Sequence, residues 1–404
     1  MKIKHKWIIL SFLFCLLVLP NFASAAKSDI SIETKYLEAN LNFTLKLFSE
    51  SIKKSEGKNL LLSPSGIAIV LSMAYEGAAG QTRQGIADAL LLKALQPEEI
   101  ERGAFDLSES LFENKKHGLE LQIANSVWFD KSIKLKRSFK KRTQKNYKAT
   151  REKTSFRKPK TLSKINSWVS KQTHGRIHEI IHSISPEDRI LLVNAIYFKG
   201  FWSKSFDKTK TGDEVFIGID RNQKKVPMMS GTGSYEYLKE DKFQAINLPY
   251  SDAKMSLYVF LPNETLSLNE FLKDLTSENW NKWIDEFLER EGEIRLPRFE
   301  VSYENDMKDI LKALGAGGAF DLLQANFEAM IAKSDKPVFI SAFKQKTWLK
   351  VDEDGSEAAA VTSAVLGLTS AFEKFQMVVN RPFFYALRDN KTGVLLFLGV
   401  INQI

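Results

Sequence analysis

The chain has 404 residues, 44% hydrophobic and 11% aromatic, with 58 Lys and Arg against 49 Asp and Glu. That is enough apolar material for a large core, and no repeat or Pro/Ser-rich linker divides it, while a formal charge of +9 over this length names no partner by itself. The one cysteine, Cys15, excludes a disulfide framework and, because it falls in the leader described next, a thiol nucleophile in the mature chain.

Lys2, Lys4 and Lys6 precede an apolar run from Trp7 to Leu19, then Pro20 and Ala23-Ser24-Ala25. These parts predict a secretory signal over 1–25 and an exported mature chain, extracellular or periplasmic, over 26–404. The apolar run is too short for a stable membrane span, and no later stretch is long enough. Leu37, Leu41, Leu45, Phe48 and Ile52 recur at helical spacing and predict an amphipathic helix. Asn59 to Pro64 reads as a short apolar strand stopped by proline, and Ile67 to Tyr75 as a helix apolar on every face, hence central. Gly77 to Thr82 ends that helix, with Thr82 placed to cap the next.

Leu121 to Phe129 reads as a strand containing Asn125. From Lys131 to Lys160 there are 14 Lys and Arg and one acid, Glu152. Phe139 and Tyr147 share a helical face within this run. Such a run is either a solvated face or a polyanion site, since clustered cations gain from counterion release. Lys136, Arg137, Lys140, Lys141, Lys145 and Lys148 are its candidate contacts for a glycosaminoglycan, a nucleic acid or an anionic membrane surface.

Ile165, Trp168 and Val169 continue a helix toward Thr173-His174-Gly175. Next comes His178-Glu179-Ile180-Ile181-His182, a literal match to the zinc-peptidase signature, in which two histidines share a helical face and the glutamate serves as general base. Gly175 and Pro186 crowd the match and no third ligand follows at a recognised spacing, so no metal is expected. Ile190 to Phe198 is apolar on both parities, which marks a strand covered on both faces. Asn194 inside it needs hydrogen-bond partners. Further strands are predicted at 226–229, 246–250, 255–262, 338–351 and 394–400.

Asp352-Glu353-Asp354-Gly355 is an acidic turn, and no charge follows Glu357 as far as Ser370. Ser356, Ala358, Ala360, Thr362 and Ala364 share one strand parity and are small enough to slip beneath a helix. Gly355 can act as the pivot. The stretch suits either an exposed loop or an inserted strand, and insertion would form on the order of ten ladder hydrogen bonds worth roughly 1 kcal/mol each.

At Glu353-Asp354-Gly355-Ser356-Glu357-Ala358-Ala359-Ala360 the chain resembles the serpin family. The resemblance extends to Asn59, Ser63, Pro64, Gly77 and Thr82. It continues through Asn194, Ala195, Tyr197 to Gly200, Trp202 and Phe206, then Leu296 to Phe299 and Asn380 to Phe383, and so covers nearly all of 37–404. It implies an α+β serpin fold: one domain with a large, mostly antiparallel central sheet, further sheets, about eight or nine helices and an exposed reactive loop. It implies that Ser63 and Asn194 belong to a shutter beneath that sheet and Trp202 to a breach where the loop first enters. Two departures stand in the shutter, Gly66 in place of a usual serine and Gln345 in place of a usual histidine.

The expected function is that of a secreted, monomeric suicide inhibitor without cofactor or enzymatic turnover. A serine peptidase, or a papain-like cysteine peptidase, cuts the loop and is trapped as an acyl-enzyme while the loop inserts. The family's hinge length places the cut at Thr369-Ser370, with Leu368 and Phe372 as alternatives. No Lys or Arg lies between Ala358 and Glu373, which favours elastase-, chymotrypsin- or subtilisin-like targets. The alternatives are a non-inhibitory serpin acting as carrier or chaperone and, more distantly, a zinc peptidase through His178 and His182.

Overall fold

Long apolar strand runs separated by amphipathic helices have to bury both sheet faces, and the computed structural model shows how. It describes residues 33–112, 119–251, 253–356 and 374–404; the calls at Leu368, Thr369, Ser370, Phe372, Glu357, Ala358, Ala359 and Ala360 and the leader lie outside them. Among the described residues there are nine α-helices, a nine-stranded sheet, a six-stranded sheet and a small two-stranded one.

The six-stranded sheet carries the functional argument. Its order is Phe299–Asp306, Ile340–Val351, Ile190–Phe201, Leu119–Asp130 and Thr150–Thr154, with the short strand Gly355–Ser356 added against Ile190–Phe201. The sheet is mixed, with three antiparallel pairings and two parallel ones. Ile340–Val351 runs parallel to Ile190–Phe201, and Leu119–Asp130 parallel to Thr150–Thr154. The strand expected from 338 begins at Ile340; along it Phe343, Leu349 and Val351 are buried while Lys344, Lys346 and Lys350 are half-exposed.

The helix Pro64–Gly77 is buried along its whole length, as its all-round apolarity requires. It lies between Ile190–Phe201 of the six-stranded sheet and Leu395–Ile401 of the nine-stranded one. Thr82 does not cap the following helix, Gly80–Ala89; its Oγ1 instead accepts from Asn326 N (2.9 Å) and donates to Gln324 O (3.3 Å). The first helix, Thr34–Lys54, turns the predicted face inward: Leu45 and Phe48 are buried, Leu41 and Ile52 pack half-buried against the same cluster, and Tyr36, Asn40, Phe43, Leu47 and Ser51 widen the buried stripe. The helix Lys160–Gln172 covers the front of the six-stranded sheet, its Ile165 and Val169 fully buried with Trp128, Leu191, Val193 and Ala195.

Candidate functional site

Two parallel neighbours create a seam that can take a strand antiparallel to both. The parallel ladder between Ile190–Phe201 and Ile340–Val351 runs from Ile340↔Ile190 to Trp348↔Tyr197 and stops there. Above it the chain leaves Val351, turns at once, and comes back between the two strands. Gly355 and Ser356 pair antiparallel with Phe201 and Gly200. Antiparallel ladders are slightly more stable per residue than parallel ones, so each residue that follows Ser356 into the seam exchanges one parallel contact for two antiparallel ones.

The turn is held by side chains from four directions. Asp352 N donates to Gly355 O (2.8 Å), and Gly355 N returns to Asp352 O (3.2 Å). Trp202 grips two of its carbonyls, N to Asp354 O (3.0 Å) and Nε1 to Asp352 O (2.9 Å), while its ring stacks on Tyr250 with centroids 4.5 Å apart. Gly355 sits at φ +134°, and a Cβ there would stand 2.7 Å from Phe201 Cα and 2.8 Å from Trp202 N, close against Gly200 O. Only glycine fits.

Glu353 is 2% exposed and anchors the turn from below. Both its carboxylate oxygens accept from Arg298 Nε at 2.7 Å, and Oε1 also accepts from Thr211 Oγ1 at 2.5 Å. Burial alone would raise its pKa, but the hydrogen bonds from Arg298 and Thr211 outweigh that and hold the carboxyl below the usual glutamate range. Lys208 pairs with Asp354, and Lys350 Nζ with Asp352 Oδ2 at 3.1 Å. Arg298 belonged to a matched segment, but its contact with Glu353, like those of Thr211 and Lys208, spans too much sequence to be read beforehand.

Beneath the seam lies a chain of buried amides. Gln345 Nε2 donates to Asn194 Oδ1 (2.7 Å) and to Ser63 O (2.9 Å), and Gln345 Oε1 accepts from Ser63 N (3.2 Å). Asn194 Nδ2 then donates to Asn125 Oδ1 (2.7 Å). Gln345 and Asn194 face each other in the parallel register, so their bond crosses the seam itself. Gly66 is explained by the same amide: a Cβ on it would lie 2.6 Å from Asn194 Nδ2 and 2.7 Å from Oδ1. The hydroxyl lost at Gly66 is thus replaced by space that Asn194 occupies, and Asn125, not expected as a member, supplies the second partner.

The candidate cations fall on one helix and its flanks. In Arg137–Tyr147, Phe139, Thr143 and Tyr147 are buried, whereas Lys136, Arg137, Lys140, Lys141, Lys145 and Lys148 are exposed. Tyr147 Oη donates to buried Glu76 Oε1 (2.6 Å) and Arg142 Nε meets Glu76 Oε2 (3.3 Å), fixing this helix on Pro64–Gly77. Lys148 pairs with Glu109 at 2.8 Å; among the described residues the other five face no carboxylate.

The His178 to His182 match is not helical: no helix covers 173–189, so the two histidines do not share a helix face. His182 Nε2 is instead 2.6 Å from Glu304 Oε1, and among the described residues no group of three metal-ligating side chains assembles. The zinc-peptidase alternative loses the geometry it needed.

Residues 38–404 match the family model described as Serpin (serine protease inhibitor). Serpin B6 of Pongo abelii is 34% identical over 373 residues, covering 90% of this chain and 97% of that protein. Among solved structures, the native state of the thermophilic serpin tengpin aligns with a TM-score of 0.85 at 30% identity, over 93% of this chain and 95% of that one. Native protease nexin-1 with heparin aligns at 0.82 and 26% identity (92% and 99% covered), and thyroxine-binding globulin complexed with thyroxine at 0.82 and 26% (91% and 99%). The chain belongs to the serpin family, a family of serine protease inhibitors. No helix among the described residues is long and apolar enough to cross a membrane.

Proposed function

We propose that this chain is a suicide inhibitor of serine peptidases, exported by the leader at 1–25. The observation that carries this reading is the seam between Ile190–Phe201 and Ile340–Val351 with Gly355–Ser356 already paired at its upper end, on the antiparallel course an entering loop must take. In the proposed sequence the peptidase's serine Oγ adds to the carbonyl of Thr369, and the peptide nitrogen of Ser370 leaves with a proton. The acyl ester then travels with the loop as Ser356 onward enters the seam, and deacylation fails because the peptidase is displaced. Small side chains at Ala358, Ala360 and Ala364 support entry, and the lack of Lys or Arg up to Glu373 supports an elastase-, chymotrypsin- or subtilisin-like target.

Incubation with a panel of these peptidases tests it. An SDS-resistant complex, with a released C-terminal peptide whose mass begins at Ser370, is expected. Cleavage without complex would reject inhibition and move the chain to the carrier reading, which the likeness to thyroxine-binding globulin keeps in view.

A second reading concerns the helix Arg137–Tyr147. Its four cations without a carboxylate, together with Lys136 just before it, exposed opposite a buried Phe139/Thr143/Tyr147 face, suit a linear sulfated polysaccharide, and a structural relative was solved with heparin. Retention on heparin that weakens steeply with salt, and weakens further in the Lys140→Ala/Lys141→Ala/Lys145→Ala variant, supports this. Equal elution of that variant and the wild type refutes it.

A further inference from the structure

The basic run from Lys131 to Lys160 folds into two surfaces, and the exposed ridge of the helix Arg137–Tyr147 is one of them. On the other side of Lys140, between that helix, the short strand Lys134–Leu135 and the strand Thr150–Thr154, lies a cleft of about 260 Å³. Phe129, Ile133 and Leu135 make its apolar wall, the first two buried and the third half-buried. Lys134, Lys140, Arg151 and Lys153 stand around it. The parallel pairing of Leu119–Asp130 with Thr150–Thr154 sets Lys153 beside Phe129 in register, which brings charge and apolar wall together.

The charges around the cleft do not cancel. Glu152 is the acid that borders it, and its Oε2 accepts from Lys164 Nζ at 2.7 Å. Among the described residues no carboxylate lies within ion-pair distance of Lys134, Lys140, Arg151 or Lys153. Arg151 is the sharpest case, because it is half-buried. Its Nη1 donates to Lys140 O and to Thr143 Oγ1 (2.8 Å), and its Nη2 to Gln144 Oε1 (3.1 Å), so every acceptor is neutral. These bonds satisfy the donors without balancing the charge, and burial holds the guanidinium below the ordinary arginine range. Taking a cation from water without a counter-charge is costly, and three neighbouring ammonium groups add repulsion. An anion seated in the cleft relieves both.

The size and lining narrow the anion. Small-molecule pockets run from about 300 to 1,000 Å³, so a cleft just below that range admits one ring with its head group rather than a polymer. Four cations suit a dianion better than a monoanion, and the apolar wall suits a flat ring. We propose that this cleft binds a small organic phosphate monoester, its head among Lys134, Lys140, Arg151 and Lys153 and its ring against Phe129, Ile133 and Leu135. The site is separate from the ridge read above as a polysaccharide surface: Lys136, Arg137, Lys141, Lys145 and Lys148 do not line it, and Lys140 is common to both.

Calorimetric titration of the full chain with phenyl phosphate tests this, beside phenyl sulfate, which has the same ring and one charge fewer, and inorganic phosphate, which has the head without the ring. Phenyl phosphate is expected to bind once per chain and several times tighter than either. Each exposed charge contributes up to about fivefold, so Lys134→Ala/Lys153→Ala should weaken binding about tenfold, with the melting temperature of the unliganded protein unchanged. Lys134→Arg/Lys153→Arg keeps the charges and should bind as wild type does, and so should the ridge variant Lys141→Ala/Lys145→Ala. Absence of binding, or inorganic phosphate binding as tightly as phenyl phosphate, overturns the site; the latter marks an adventitious ion only. Equal loss in the ridge and cleft variants, or an arginine pair as weak as the alanine pair, overturns it too. None of these results touches retention on heparin, which tests the ridge by itself.

Discussion

Gly66→Ala sets two effects of opposite sign against each other. Replacing glycine inside a helix by alanine ordinarily stabilises by about 0.5–1 kcal/mol, and Gly66 lies in the helix Pro64–Gly77 with no positive φ to protect. The new Cβ, however, would stand 2.6 Å from Asn194 Nδ2 and 2.7 Å from Oδ1. The amide must move, which breaks its bonds to Gln345 and Asn125 in a site where Asn194 and Gln345 are 0% and 1% exposed. Two buried hydrogen bonds lost, with partners left unsatisfied, cost about 3 kcal/mol, so the variant should be less stable by about 2 kcal/mol after the helix gain. The assay is urea unfolding followed by tryptophan fluorescence, with Asn194→Ala and the double variant completing a cycle. Because Asn194→Ala removes the obstructing amide, Gly66→Ala should cost nothing, or stabilise, in that background. Equal destabilisation in both backgrounds would refute the steric reasoning.

Glu353→Gln removes a buried carboxylate from Arg298 and should destabilise by about 2 kcal/mol, below the usual cost of breaking a buried pair because the Arg298 side chain is 43% exposed. Its carboxyl is held below the ordinary glutamate value of 4.5, so the ionised form is the stabilising one; the wild-type advantage should be full above that pH and disappear as acid protonates the folded state. Denaturant midpoints of both proteins across pH would show the difference closing only in acid, and a gap that persists there contradicts the assignment. Cleavage near Thr369 should raise the melting temperature by about 10 °C or more, from on the order of ten new ladder bonds at ~1 kcal/mol each; calorimetry showing no rise would remove the driving force. Gly355→Val cannot hold φ +134° against Phe201 and Trp202, and should divert a target peptidase from complex to simple cleavage, read as a higher ratio of inhibitor consumed per enzyme inactivated.

Strand and helix identities were legible because they depend on side-chain period alone. The all-apolar Ile67 to Tyr75 became the buried centre, and the strand predicted at 338–351 became a strand of the functional sheet. Gly355 was legible as a pivot for the same local reason. Three things were not. The parallel pairing of Ile340–Val351 with Ile190–Phe201, which makes the seam, is a choice of neighbours between segments more than a hundred residues apart. The need for glycine at 66 comes from an amide brought in from position 194, and the Arg298 to Glu353 anchor likewise joins distant segments. The histidine motif shows the converse: its spacing promised a shared helix face, but isoleucines at 177, 180 and 181 are drawn into the core beneath Lys160–Gln172, and the chain forms no helix there. Periodicity records which face of a segment meets apolar surroundings, whereas partners across the seam are selected by packing of the whole chain, which no local stretch encodes.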